Sequence, residues 1–350
     1  MRYVLDVPAT IADEINRLVA AGKYKTPQDF ILLGIQNQVY LESQSTELEY
    51  VPSQSSNVSN VRPKPSVEFL DTDEFLSMNI DGVKTIELGE LKRQDILWGQ
   101  YNRFLPVKIV VRVVANLLRR NASEYVLLSE VHEVAAATAR RLGKETARND
   151  KLLGHKRGTI ISAGLPMSKE DKSASRFKYQ FVGYATADKV EGAAPVLKFL
   201  DITKKEGTVL LGITDYGLKF ASFSNPVIDN HDYSSPLSED EVSFLLNHIA
   251  LQVPGEARLI HFILDKVAKG RKTPEALNDS IRAEYGAVWK GKNEQATMRS
   301  GAVSRMSELG LLKREKDGVK VTYLLTERGQ QYLNRLKETG APKVEIKQWL

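Results

Sequence analysis

The chain runs to 350 residues, 42% of them hydrophobic and 27% charged, with 49 Lys and Arg against 44 Asp and Glu, five His and no Cys. That is the composition of a folded protein of about two or three domains, and it excludes wholesale disorder; the lack of cysteine excludes disulfides, thiolate metal sites, iron–sulfur clusters and cysteine nucleophiles. No apolar run approaches the roughly 18 residues of a membrane span, and the first residues lack the basic, apolar, small-residue order of a secretory signal, so a cytoplasmic chain is expected.

Arg2-Tyr3-Val4-Leu5-Asp6-Val7-Pro8 reads as a short strand stopped by proline, with Tyr3, Leu5 and Val7 on one face. Thr10 is placed to cap a helix carrying Ile11, Ile15, Leu18 and Val19 at helical spacing and ending at Gly22. Thr26 is placed to cap a second helix, with Pro27 in its first turn and Phe30, Ile31, Ile35 and Val39 as its apolar stripe. One strand and two helices cannot bury both faces, so the module needs a partner. This strand–helix–helix resembles the ribbon-helix-helix family over about residues 2–42. The resemblance implies a homodimer through Tyr3, Leu5, Val7, Ile15, Leu18, Phe30, Ile31 and Ile35. It also implies a two-stranded ribbon in the DNA major groove, with Arg2 and Val4 facing outward and Thr26 near phosphate. Asp6 on the same outward face suits only a cytosine amino group and opposes phosphate.

Residues 43–66 hold seven Ser and three Pro without periodicity and read as a flexible linker. Residues 67–103 read as an acidic connecting segment, and 43–100 is open to a protein partner. The charge then reverses, with 12 basic and 5 acidic side chains over residues 103–157. Such a surplus suits a polyanion, though a solvated face would look the same.

Helices are expected at 106–120, with Ile109, Val110, Val113, Val114, Leu117 and Leu118 inward, and at 129–142, capped by Ser129. Residues 145–185 read as a loop-rich insertion whose Phe177, Tyr179, Phe181 and Tyr184 pack inward from a hairpin, the alternative being that its basic and aromatic mixture contacts nucleic acid. A hairpin follows at 202–211 around Glu206-Gly207, then a Thr214-x-x-Gly217 helix start. Ser238 and Glu241 form a capping box opening a connecting helix within 226–254. The same pattern recurs downstream. Helices are expected at 257–269, at 273–285 behind Thr273, and at 296–310. The last has Met298, Ala302, Val303, Met306 and Leu309 on one face, and Gly310 caps it. A hairpin over 311–325 turns at Asp317-Gly318, with Val319, Val321, Tyr323 and Leu325 alternating to one side. Thr326-x-x-Gly329 then opens another helix, and 341–350 reads as a tail.

Three helices, a hairpin and a Thr-x-x-Gly helix start resemble the winged helix-turn-helix family over about 255–340, with a divergent copy at 104–225. The resemblance implies that Thr297, Arg299, Ser300, Ser304 and Arg305 enter the major groove. Lys313, Arg314, Lys316 and Lys320 of one wing, and Lys204 and Lys205 of the other, would lie along phosphates. The expected fold class is mainly α with short β-hairpins, an N-terminal ribbon-helix-helix followed by tandem winged-helix domains. No phosphate loop, nucleophile elbow or zinc-protease motif occurs, the histidines lack metal-ligand spacing, and Glu345-Ile346-Lys347 has no strand–helix frame. No catalytic residue, cofactor or metal is expected. The leading expectation is a prokaryotic, nucleoid-associated homodimer that binds double-stranded DNA and represses transcription. The alternatives are a plasmid or mobile-element replication or partition protein, or a non-enzymatic adaptor whose winged helices bind protein.

Overall fold

The computed structural model describes residues 9–20, 26–27, 73–156, 158–167, 171–205 and 207–338. The strand expected at 2–8, the linker 43–66, the tail 341–350, and Arg2, Val4, Tyr3, Leu5, Val7, Phe30, Ile31 and Ile35 lie outside the described residues. The chain divides into two units, Met1–Lys64 and Pro65–Leu350. In the first, helix α1 (Ala9–Ala20) buries Ile15, and Thr10 lies inside the helix rather than ahead of it. Thr26 is exposed and precedes a helical Pro27.

The second unit is mainly helical with sheets of two or three strands. In chain order its elements are β1 (Lys92–Arg93), α2 (Leu105–Asn121), β2 (Val126–Leu127), α3 (Leu128–Leu152) and α4 (Asp171–Phe177), which runs into a π-turn over Lys178–Val182. There follow β3 (Tyr184–Ala185), β4 (Lys189–Glu191), a helical turn over Ala193–Val196, β5 (Leu200–Lys205), β6 (Thr208–Ile213) and α5 (Asp215–Ser222). After a turn over Pro226–Asp229 come α6 (Glu239–Gln252), α7 (Pro254–Ala268), α8 (Pro274–Tyr285), α9 (Lys292–Glu308), β7 (Leu312–Asp317), β8 (Lys320–Leu325) and α10 (Glu327–Glu338). No helix among the described residues is long and apolar enough to cross a membrane.

Three expectations are corrected. The acidic segment is not a connector: over residues 73–104 it is a strap folded onto the body. Phe75, Leu76, Ile80, Ile96 and Leu97 are buried, while Asp73, Glu74, Asp81, Glu87 and Glu90 stay in water. The Ile86 N–H donates to the Ile213 carbonyl, and β1 pairs with β4. The helix expected to end at 142 runs on to Leu152. Ser129 sits in its first turn, and Gly143 permits the close crossing of Pro166 instead of stopping the helix. The aromatic run of the insertion is helical as far as Phe181, and only Tyr184 lies in a hairpin, β3 with β4: Phe177 and Phe181, four apart, share a buried face with centroids 5.4 Å apart. Tyr179 is half exposed.

Helix α2 is buried all round from Leu105 to Leu118. Its apolar stripe packs as expected, and a second stripe at Lys108, Arg112 and Asn116 is polar and equally buried. Lys108 Nζ donates to the Phe220 and Phe223 carbonyls at 2.6 and 2.7 Å and pairs with Glu241 of α6 at 2.8 Å. Arg112 donates to the carbonyls of Leu76, Ala221 and Phe223 and to both carboxylate oxygens of Asp229. Asn116 donates to Phe75 and Ser77. These cations satisfy the orphan carbonyls at the end of α5, where a helix carries partial negative charge. Helix α6 is thereby part of this core, not a free connector. Its His248 donates to the Leu197 carbonyl at 2.6 Å, within a cluster of Phe199, Phe220 and Phe244.

The two hairpins are built alike, residue for residue, at a separation of 112 in the numbering. Lys198 and Gly310 both take positive φ, +58° and +69°, ahead of β5 and β7. The Thr214 hydroxyl donates to the Lys198 and Phe199 carbonyls, and the Thr326 hydroxyl donates to those of Gly310 and Leu311. Each hydroxyl accepts the N–H of its own glycine, Gly217 or Gly329. A Cβ on either glycine would collide with the Phe199 or Leu311 carbonyl. A third strand completes the first sheet, where Val126 pairs with Leu211; the second sheet stays two-stranded, with one backbone bond at its edge, from Tyr323 N–H to the Lys272 carbonyl at 2.8 Å. Leu211 and Tyr323 are again equivalent positions.

Burial, opposed by the Leu197 hydrogen bond, lowers the His248 pKa to about 4. The folded protein keeps this ring neutral while the unfolded chain protonates below about 6.5. Its contribution is therefore present above pH 6.5 and lost as pH falls toward 4, by roughly 3 kcal/mol. Thermal unfolding across pH 4–7 should show this slope, and His248→Gln should flatten it.

Candidate nucleic-acid interface

Helix α9 starts where the Glu294 carboxylate reaches back to the Gly291 N–H at 3.3 Å and ends at left-handed Gly310. Gln295, Met298, Ala302, Val303 and Met306 bury one face. The opposite face carries only short side chains: Asn293, Ala296, Thr297, Ser300, Ser304 and Ser307. Asn293 is exposed and the others are half-buried.

One flank of α9 is crossed by residues 97–104 of the strap. Gly99 meets the Thr297 carbonyl and Gly301 so closely that a Cβ on either glycine would collide with backbone. Beside that crossing Arg305 has no exposed surface. Its guanidinium pairs with Glu256 at 2.7 Å and donates to the carbonyls of Tyr101, Leu97 and Trp98 at 2.8, 3.3 and 3.4 Å. The other Glu256 oxygen accepts the Leu97 N–H at 3.0 Å. Arg103 donates to the Ser304 carbonyl at 2.8 Å. Glu308 accepts the Phe104 N–H at 2.7 Å and so caps the start of α2. Burial raises the Glu308 pKa, against the pull of Arg103 and these N–H groups.

These contacts redistribute the expected site. Arg305 is not a base contact: it follows Met298 and Ala302 at core spacing and faces inward, where the strap supplies its acceptors. Arg299 is half-buried and committed to the Pro274 carbonyl at 2.8 Å, tying α9 to α8. Thr297, Ser300 and Ser304 do lie on the outward face. An open groove of about 470 Å³ runs along it, where Asn293, Thr297 and Ser300 meet Gly99, Gln100 and Asn102. Those three strap residues were not anticipated; a Gly flanked by amide side chains is too common a pattern to single them out.

On the wing, Lys316 and Lys320 are exposed, Lys313 pairs with Glu315 at 3.1 Å, and Arg314 is half-buried. Val319 is 94% exposed in the turn with Gly318, so it leaves the alternating face expected of it. Arg314 and Tyr323 join Ser300 and Ser304 around a second cavity, about 210 Å³. Lys204 and Lys205 are exposed at the end of the other hairpin, Lys205 over the Tyr125 ring at 4.0 Å, and neither lines a cavity beside α9. In the 112-residue register, the last turn of α9 corresponds to Ala193–Val196, all four of which are buried. The first half therefore has no outward helix at that place. No protein-family model matches this chain, and no curated protein or solved structure matches it.

Arg305→Ala would leave Glu256 buried and unpaired, at a cost of about 3–5 kcal/mol. Thermal unfolding should show a large loss for Arg305→Ala, a smaller one for Arg305→Lys, and partial recovery in Arg305→Met/Glu256→Gln. An Arg305→Ala variant of unchanged stability would contradict the buried role.

Proposed function

We propose that the chain is a homodimeric, sequence-specific double-stranded DNA-binding protein acting as a transcriptional repressor, with α9 as its major-groove helix and the β7–β8 hairpin along phosphate. The outward face of α9 carries this reading. A major groove about 12 Å wide admits a helix, and short side chains let its backbone come close to base edges. Asn293 suits adenine, and Thr297 and Ser300 suit either strand's donors and acceptors. Lys316, Lys320 and Arg314 supply charge to phosphates, which gives affinity and salt dependence but no sequence information. The order α7, α8, α9, hairpin, α10 supports a winged helix-turn-helix over this half. The repeated hairpin and cap support a divergent copy upstream. In that copy the reading helix is replaced by a buried turn, so one half of each protomer reads bases. The N-terminal module joins the protomers, and repression follows from occupying a promoter. The duplication also favours a second reading with the same DNA face: a replication or partition protein of a mobile element, binding direct repeats instead of a palindrome.

Fluorescence anisotropy against the chain's own upstream duplex and a random duplex, over a salt series, tests this. The upstream duplex should bind at least tenfold tighter. Thr297→Glu/Ser300→Glu should abolish that excess, and Lys316→Ala/Lys320→Ala should lower the salt slope by about two while keeping it. Absence of duplex binding at low salt overturns the proposal.

A further inference from the structure

The 210 Å³ cavity beside α9 is walled by four stretches of chain. Helix α9 presents Ser300, Ser304 and Ser307, and the hairpin presents Arg314 and Tyr323, which are directly opposite one another in β7 and β8. The strap adds Asn102 and Arg103, and Gly158 and Ile160 form the last wall. That last wall is fixed in place. The Asp150 carboxylate accepts the Ile161 and Ser162 N–H groups at 2.9 and 3.0 Å. A Cβ on Gly158 would sit 3.9 Å from that of Arg314, so this turn rests against the wing.

Among the described residues, the side chains of Asn102, Ser300, Ser304, Ser307 and Tyr323 have no hydrogen-bond partner. A helical hydroxyl can satisfy itself on the carbonyl four residues back, as Thr297 does on Asn293 at 2.8 Å. The three serines do not. Tyr323 is only 6% exposed, and a buried phenol ordinarily finds a partner. Arg103 commits one nitrogen to the Ser304 carbonyl at 2.8 Å. Among the described residues no Asp or Glu lines the cavity, and Glu308, which feels the Arg103 charge, is turned to the Phe104 N–H at 2.7 Å. Two guanidiniums with hydroxyls and an amide, and no facing carboxylate, are a donor set for an oxyanion. At about 30 Å³ per water the space holds roughly seven. That is below the size of a drug-like site and suits a small anion.

We propose that this cavity binds a free small oxyanion, of phosphate or short carboxylate type, and that its occupant opposes DNA. The opposition rests on the DNA reading above; the site itself does not. Ser300 lies on the face assigned to bases and Arg314 on the strand assigned to phosphate. An anion that engages both withholds them from a duplex and adds negative charge beside the reading helix. Anion and DNA then weaken each other by the same factor.

The test uses the full-length chain with inorganic phosphate as the probe. Titration calorimetry, with sodium chloride of equal ionic strength as the reference, should show saturable binding with a Kd of about 1 mM or tighter. Tyr323→Phe keeps the ring and should weaken it about three- to tenfold. Ser307→Asp places a carboxylate in the wall and should abolish it. Lys144→Ala, exposed on α3 outside the cavity wall, should leave it unchanged. Anisotropy with the upstream duplex should show about fivefold or weaker binding in saturating phosphate than in chloride of the same ionic strength. Ser307→Asp should show no such difference. If Ser307→Asp does not fold, Tyr323→Phe decides alone. Absence of saturable phosphate binding, or binding that neither variant changes, overturns the site. A duplex affinity indifferent to phosphate overturns the opposition. Equal loss of phosphate and duplex affinity in Tyr323→Phe places a DNA phosphate in the cavity and overturns the free anion. If the unmodified chain binds no duplex, the DNA reading and the opposition fall, while calorimetry still decides the site.

Discussion

A guanidinium without exposed surface, held by one carboxylate and three backbone carbonyls, joins the two halves of the second unit. Arg305 reaches from α9 to Glu256 at the start of α7 and to the strap at Leu97, Trp98 and Tyr101. Burying two ions costs several kcal/mol each, so such a pair contributes less to net stability than to register. Here the register is that of α9 against the strap. The Gly99–Gly301 crossing brings the backbones together, Arg305 locks the angle, and Glu308 turns the end of α9 into the cap of α2. The outward face of α9 is what remains once these contacts are made.

The same logic operates around α2. An ordinary amphipathic helix leaves its polar stripe in water. Helix α2 is enclosed by the strap, α3, α5 and α6, so its polar stripe has to find partners inside. Lys108, Arg112 and Asn116 meet carbonyls that helix and loop ends leave unpaired, and Glu241 and Asp229 balance the charge. Unsatisfied, these groups would cost more than apolar replacements.

The two halves share a hairpin and a Thr–Gly helix cap, and they differ in the interval that precedes the first hairpin strand. In the first half that interval holds the long α3, the aromatic π-turn and a buried helical turn. In the second it holds α9. The divergence lies at the element that faces outward, so one half keeps an outward helix face while the other contributes core.

Sequence alone determined the elements whose chemistry is local. The Thr214–Gly217 and Thr326–Gly329 starts, the Ser238 capping box, the Thr273 cap and both hairpins are legible because a hydroxyl or a glycine is needed at a fixed spacing along the chain. The apolar faces of α2 and α9 are legible for the same reason, through periodicity. What only the tertiary structure decided is the fate of residues whose partners are distant. Arg305 resembles a DNA contact until carbonyls some two hundred positions upstream surround it, and Arg299 until Pro274 takes its guanidinium. The acidic strap looks like a connector until its scattered apolar residues find a surface. The helix expected at 129–142 runs on to Leu152, with Pro166 crossing it at Gly143. In each case the deciding free energy is desolvation, set by what packs against a side chain from far along the chain, and periodicity carries no record of that neighbour.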